Sequence, residues 1–284
     1  MTGELITSGA NPVVKRVRLL ADRKHRRRAG AFVVEGTQLV WQAVEAGADV
    51  EILLVAPGLL GRSAAARRVT AMIAGQEERG VRVARLSDEV FTRISGREGP
   101  SGLAAIVRRR LAGLAGLAAG PAAVFLALHS IGNPGNLGTI IRTANAAGAA
   151  GVVLVGQTTD PFDPAAVKAS MGALFTLPVA HAATPAEFFG WAAAAGVTVV
   201  TTSARAGQIF WDASYPRPLA LLLGAEGAGL PSEVLARGDR QVQIPMSGTA
   251  ESLNLAVAAG LLLYEVNRQA RGAIGTGSLA SGPG

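Results

Sequence analysis

Cysteine is absent from the 284 residues, which excludes disulfide staples, thiolate metal ligands and a cysteine nucleophile. Histidine is scarce, and His25, His129 and His181 are too scattered to form a metal set. No run of about 18 uninterrupted apolar residues occurs. The nearest approach, Thr249 to Tyr264, is broken by Glu251, Ser252 and Asn254, so no membrane span is expected. Met1 to Asn11 lack the basic-then-apolar order of a secretory signal, and no P-loop motif is present. These absences lead to the expectation of a cytoplasmic protein with no metal and no membrane partner.

What the chain does have is apolar material, 49% of its residues, enough for one large core or two ordinary ones. It also carries a net charge of +7. The basic residues are uneven: Lys15, Arg16, Arg18, Arg23, Lys24, Arg26, Arg27 and Arg28 fall in one short stretch against the single acid Asp22. Such a run is a footprint for a polyanion such as RNA. A solvated helix face is the alternative reading of the same residues.

Two α/β series follow one another. In the first, Asn11-Pro12 starts a helix, with Asn as cap and Pro at the first helical position. The spacing predicts strands at 31–34, 50–55, 81–84 and 103–107, and helices at 37–46, 64–76 and 87–94. The arginines at 108–110 and the Leu-Ala-Gly run to Gly120-Pro121 predict a linker. The second series predicts strands at 123–128, 152–155, 197–201, 219–223 and 241–244. Its helices are expected at 137–147, 164–169, 185–194 and 252–268. Continuous apolar strands such as 219–223 suit a parallel sheet covered on both faces. The expected division is therefore domain 1–107, linker 108–121, domain 122–270 and a flexible tail over 271–284.

Three segments carry chemistry. Asn133-Pro134-Gly135-Asn136-Leu137-Gly138-Thr139-Ile140-Ile141-Arg142 follows a strand and opens a helix, at the edge where open α/β sheets bind ligands. Asn136 is expected to cap that helix. Arg142, inside it among apolar neighbours, would need an anionic partner if buried. Leu222-Leu223-Gly224-Ala225-Glu226-Gly227-Ala228-Gly229 ends a second strand in glycines that allow close backbone approach, and its lone charge, Glu226, could anchor a basic group or orient Arg142. Ile244-Pro245-Met246 leads through a Gly-containing loop to Ser252-Leu253-Asn254, where Ser252 is the expected N-cap of a long apolar helix. Each segment alone fits an ordinary cap or turn.

Together they resemble the motifs of the SpoU (TrmH-like) RNA ribose 2′-O-methyltransferases of the SPOUT superfamily, over about residues 123–268. The paired phrases Asn136-Leu137-Gly138…Arg142 and Ile244-Pro245-Met246…Ser252-Leu253-Asn254 carry the resemblance, with Lys168-Ala169-Ser170-Met171-Gly172-Ala173-Leu174-Phe175 between them. Phe32-Val33-Val34-Glu35-Gly36 is similar to the L30e-like substrate-binding domain of many members. The resemblance implies an N-terminal L30e-like α/β domain and a C-terminal SPOUT domain, its parallel sheet ending in a deep trefoil knot. It implies a homodimer, S-adenosylmethionine as cofactor, and methyl transfer to a 2′-hydroxyl of structured RNA. It favours 23S rRNA over tRNA.

Carried over by residue, the catalytic set is Asn136, Arg142, Glu226, Ser252 and Asn254. The cofactor would lie against Thr201, Thr202 and Ser203, against Leu223, Gly224, Ala225, Glu226 and Gly227, and against Ile244, Met246, Ser252 and Leu253. Two rivals stand beside this. A dinucleotide-binding Rossmann domain requires a G-x-G-x-x-G turn after the first strand, where this chain has His129-Ser130-Ile131-Gly132-Asn133-Pro134. A non-catalytic RNA-binding protein that keeps the fold would not require the polar set. His129 is the alternative candidate for a catalytic base.

Overall fold

The computed structural model describes residues 4–61, 63–96 and 98–276. The chain separates into two compact units. The first runs to Arg110 and also takes in Asp160–Phe175; the second comprises Leu111–Thr159 and the chain from Thr176 onward.

The first unit is built on a four-stranded mixed sheet. Its elements are α1 (Pro12–Leu19), α2 (Arg23–Ala29), β1 (Ala31–Glu35), α3 (Thr37–Glu45), β2 (Val50–Val55), α4 (Pro57–Leu60), α5 (Ala64–Glu78), β3 (Arg82–Arg85), α6 (Asp88–Ile94) and β4 (Leu103–Arg108). Strand order is β1-β4-β2-β3, with β4 antiparallel to both neighbours and β2 parallel to β3. Alternation along the strands gives two apolar faces. On one, Ile52, Leu54 and Ile106 meet Val13, Val14 and Val17 of α1 and Val90 and Phe91 of α6. On the other, Leu53, Leu103 and Ala105 meet Leu39 and Val40 of α3 and Val69 and Ile73 of α5.

That second face is completed by residues from far along the chain. Phe162 and Val167 are buried in it, and the Phe162 ring lies 4.8 Å from that of Phe32. Gly172 packs against Gln42: a Cβ there would sit 2.3 Å from its Oε1. So Asp160–Phe175, which lies within the stretch read as the second domain, packs with the first unit instead. Alternation reports which side chains are apolar, not which sheet they join.

The second unit holds β5 (Val124–His129), α7 (Pro134–Ala146), β6 (Gly151–Val155), β7 (Val179–Ala182), α9 (Pro185–Ala194), β8 (Thr198–Thr202), β9 (Leu219–Leu223), α10 (Ser232–Leu235), β10 (Arg240–Val242) and α11 (Leu255–Thr276). Helix α8 (Pro164–Ser170), between β6 and β7, belongs to the excursion described above. All six strands are parallel, in the order β10-β8-β9-β5-β6-β7. Phe125 and Ala127 point into a cluster with Phe188, Phe189 and Ala192 of α9, whereas the intervening Leu126 and Leu128 are fully buried on the other face. Helices α7 and α11 pack on each other, and α11 also touches β9. Burying each such Leu or Phe contributes about 1.5–3 kcal/mol.

Three sequence expectations change here. The segment 108–121 is ordered: Arg108 ends β4, Ala112 bridges to Ala180, and Leu117 is buried in the α9-side core. Strand β7 was not expected, because it has four residues and His181 interrupts its apolar run. Helix α11 starts three residues later than expected and continues to Thr276. The rest of the tail expected over 271–284, residues 277–284, lies outside the described residues.

Candidate active site

Strand order reverses around β5, whose neighbours are β6 and β9. Open α/β sheets bind ligands beyond the carboxyl ends of strands at such a point. The loops leaving β5, β9, β8 and β10 all emerge at this edge, and they contain the three chemistry-bearing segments.

The β5 loop turns through Ser130 at φ 54 and enters α7 at Asn133-Pro134. Asn133 is the cap: its Oδ1 accepts the Asn136 backbone N–H at 3.0 Å. Asn136 was expected in that role, and its release from capping leaves its side-chain amide to bridge two other loops. Nδ2 of Asn136 donates to Glu226 Oε1 at 2.8 Å, and Oδ1 of Asn136 accepts from Asn254 Nδ2 at 3.1 Å. The Asn254 Oδ1 accepts the Ala256 N–H at 2.9 Å, so Asn254, not Ser252, caps α11. The result is a polar relay, Glu226–Asn136–Asn254, joining all three segments at one edge. The cap at Asn133 was missed although its Asn-Pro pair repeats the signal read correctly at Asn11-Pro12, which also caps a helix.

Glu226 sits at the tip of the β9 loop, an exposed turn closed by the Gly229 N–H on the Ala225 carbonyl at 3.0 Å. Gly224 has no room for a side chain. A Cβ there would lie 2.1 Å from the Gly229 carbonyl carbon, which is backbone and cannot swing aside. Gly227 and Gly229 take φ of 80° and 68°, the left-handed region that glycine enters at least cost.

Arg142 is exposed on α7, with Ile140, Ile141 and Ala144 buried around it. The expected desolvation penalty therefore does not arise, and Glu226 bonds Asn136 rather than orienting Arg142. No hydrogen bond or ion pair engages the Arg142 guanidinium among the described residues, so its five donors face solvent.

The residues assigned to the cofactor divide into two kinds. The Thr201 hydroxyl is buried and donates to the Arg240 carbonyl at 3.2 Å, and that of Thr202 donates to Leu222 O at 3.3 Å. Both are committed to the sheet. Ser203 accepts the Arg205 N–H with its hydroxyl at 3.1 Å. By contrast Leu223, which ends β9, and Gly224 after it are buried, Ala225, Ile244 and Met246 are half-buried, and Glu226, Gly227, Ser252 and Leu253 are exposed. The second group offers main-chain amides and apolar side chains.

The histidines stand apart from the relay. His129 ends β5 half-buried; burial pushes its imidazole below the usual value, with the Glu233 charge opposing. His181 Nε2 is 2.9 Å from the Gly156 carbonyl, and His25 Nδ1 is 3.2 Å from Asp22. No cluster of three metal-ligating side chains occurs among the described residues.

The basic run is in the first unit. Lys15, Arg16 and Arg18 are on α1, Arg16 pairing with Glu51. Arg23, Lys24, Arg27 and Arg28 are exposed on α2. Arg26 corrects the sequence expectation: it is 1% exposed and cannot reach RNA. Its Nε pairs with Asp160 at 2.9 Å and an Nη with Asp163 at 3.3 Å, because an uncompensated guanidinium would be costly to bury.

Comparison with known proteins agrees with this geometry. Residues 123–264 match the SpoU rRNA Methylase family, and residues 11–105 match an MRM3-like substrate binding domain. The chain is 32% identical over 92% of its length to the 23S rRNA (guanosine(2553)-2′-O)-methyltransferase RlmP of Bacillus subtilis, spanning 98% of that protein. It is 34% identical to the 23S rRNA (uridine(2479)-2′-O)-methyltransferase of Streptomyces viridochromogenes, over 88% of this chain and 87% of the relative. The AdoMet-bound rRNA methyltransferase of Sinorhizobium meliloti superposes with a TM-score of 0.86 at 37% identity, over 94% of this chain and 98% of that one. With its three loop segments gathered at one sheet edge and these similarities running along nearly its whole length, the chain belongs to the SpoU rRNA methylase family.

Proposed function

We propose that this protein transfers the methyl group of S-adenosylmethionine to a ribose 2′-hydroxyl of 23S rRNA. The observation that carries this reading is the Glu226–Asn136–Asn254 relay, which holds three loops of the methylase unit in one arrangement at the carboxyl edge. The two curated relatives are named for 23S rRNA, which favours rRNA over tRNA. A binding protein without turnover would have no use for a relay that fixes an amide between a carboxylate and a helix cap.

The cofactor fits the donor set. Leu223 to Gly227, Ile244 to Met246 and Leu253 offer backbone polar groups beside apolar surface, which suits the edge and face of an adenine ring. Bound there, S-adenosylmethionine supplies an electrophilic methyl group for in-line displacement. The residues of the chain have the harder task, making a weakly acidic hydroxyl nucleophilic. Arg142 stabilises the developing alkoxide and contacts the neighbouring phosphate. This electrostatic role is preferred to that of general base, which the family resemblance also allows, because a guanidinium is a poor proton acceptor. The hydroxyl proton then leaves to water at this exposed position. Asn136, Asn254 and Ser252 orient ribose and phosphate, and Glu226 holds Asn136.

The same reading makes the first unit, which runs to Arg110 and takes in Asp160–Phe175, the RNA-holding domain and the second unit the methyltransferase domain, with its C-terminal part threaded as a trefoil knot. It makes the protein a cytoplasmic homodimer. Support for the dimer comes from α11, where Val257, Leu261 and Tyr264 recur at helical spacing and are 52%, 42% and 57% exposed. Among the described residues no helix is long and apolar enough to cross a membrane.

The test is incubation with methyl-labelled S-adenosylmethionine and, separately, unmodified 23S rRNA and tRNA, followed by mapping. Label at one 2′-oxygen of 23S rRNA is expected. Label in tRNA alone would overturn the substrate assignment, and cofactor binding without label in any RNA would overturn the reaction.

A further inference from the structure

We propose that Arg26 is a positioning residue for RNA capture: its buried guanidinium, clamped by Asp160 and Asp163, is what presents the basic face of α2. Helix α2 reads Arg-Lys-His-Arg-Arg-Arg-Ala and has no large apolar residue to anchor it. Every residue of it is exposed except Arg26. A helix of seven residues has little stability of its own and depends on tertiary contacts.

Arg26 supplies that contact in three directions. Nε meets Asp160 Oδ2 at 2.9 Å, one Nη donates to the Leu20 and Ala21 carbonyls at 3.2 and 2.7 Å, and the other reaches Asp163 at 3.3 Å. The carbonyls belong to the turn between α1 and α2, so the same side chain fixes both the turn and the helix. Asp160 is 3% exposed and also receives Arg109, whose guanidinium lies 4.8 Å over the Phe162 ring. Asp163 in turn caps α8 through the Ala165 N–H at 3.0 Å. The acids that orient α2 thus stand on the Asp160–Phe175 excursion, which is itself held by the Phe32–Phe162 contact. With Arg26 turned inward, Arg27, Arg28 and Lys24 point to solvent as a fixed set rather than as a frayed segment.

This rests on the reading of α2 as an RNA-binding face, and the experiment separates the two. RNA KM, kcat at saturating RNA, cofactor affinity and the salt dependence of RNA binding are measured for four variants. Arg27→Gln with Arg28→Gln tests the face: weaker binding, with the salt slope reduced by about 0.7–0.9 per lost phosphate contact, is expected. An unchanged slope there would overturn both readings. Arg26→Met should raise RNA KM by about tenfold or more and flatten the same slope, with kcat and cofactor affinity kept. Arg26→Lys, which keeps the charge but not the fork, should fall between. If Arg26→Met does not fold, Asp163→Asn, which removes only the half-buried partner, carries the test with a smaller shift in the same direction. Unchanged KM and slope in the Arg26 variant or its substitute, beside a weakened Arg27/Arg28 variant, would overturn the positioning role alone. So would a fall in kcat at constant KM.

Discussion

Asn136 donates its side-chain N–H to Glu226 at 2.8 Å across 90 residues of chain, tying the start of α7 to the tip of the β9 loop. Its carbonyl oxygen is taken by Asn254 at the same time, so neither end of the amide can be exchanged for another group without loss. Asn136→Asp replaces the donor facing Glu226 with a second carboxylate. It should lower kcat/KM more than Asn136→Ala does, because repulsion is added to the roughly 0.5–1.5 kcal/mol of a lost hydrogen bond. Equal losses in the two variants would mean that Glu226 does not need the amide. Steady-state kinetics on a minimal RNA substrate decides it.

Arg142 faces solvent, its guanidinium unengaged among the described residues, which suits the proposed contact with an anionic partner. Arg142→Ala is expected to reduce kcat by about 10²–10³-fold, the usual cost of removing one preorganised donor from a developing oxyanion. Calorimetric affinity for S-adenosylmethionine should stay within a factor of two or so, since the proposed cofactor cradle is formed by other loops. Arg142→Lys should recover little, because an ammonium cannot reproduce a planar two-pronged contact. Loss of cofactor binding in Arg142→Ala would contradict the assigned role.

Gly224→Ala puts a methyl group 2.1 Å from the Gly229 backbone. The turn must open, at a cost of about 1–3 kcal/mol. Lower thermal stability and weakened cofactor binding should appear together. A variant with native cofactor affinity would show that the loop is not part of the cradle.

His129 gives a pH signature. Burial holds its folded-state pKa below the ordinary 6.5. Well above pH 6.5 both folded and unfolded chains have it neutral, and it adds nothing to the pH dependence. As pH falls below 6.5 the unfolded chain takes up the proton first, so stability declines until the folded value is passed. Urea unfolding of the wild type between pH 7.5 and 5 should show this decline, and His129→Gln should flatten part of it. A histidine NMR titration with a midpoint above 6.5 would contradict the burial argument.

The exposed stripe on α11 bears on assembly. Leu261→Glu with Tyr264→Glu should convert a dimer to a monomer by light scattering during size exclusion. A wild-type protein that is already monomeric, or a double variant of unchanged mass, would remove α11 from the interface.

Much of this molecule was legible before its structure. Helix and strand periodicity depends on neighbours a few residues apart, and so 50–55, 185–194 and 219–223 are found where patterning predicted them. Continuous apolar strands implied a parallel sheet because such strands must be covered on both faces, and the second sheet is parallel throughout. The three glycine- and asparagine-bearing loops were visible as strand ends. Their convergence was not, except through resemblance.

What only the tertiary structure decided are partnerships across distance. Asn136 as a bridge to Glu226 and Asn254, and Arg26 as buried anchor rather than RNA contact, depend on residues 90, 118 and 134 positions away, whereas the cap of α11 by Asn254 in place of Ser252 is a local choice made two residues along the chain. A charge in a basic run reads the same whether it faces water or a buried aspartate. Composition and spacing report what a side chain can do. Its direction is set by which distant carboxylate or amide the completed fold brings within about 3 Å, and for Arg26 that choice is enforced because an unpaired guanidinium is too costly to leave buried.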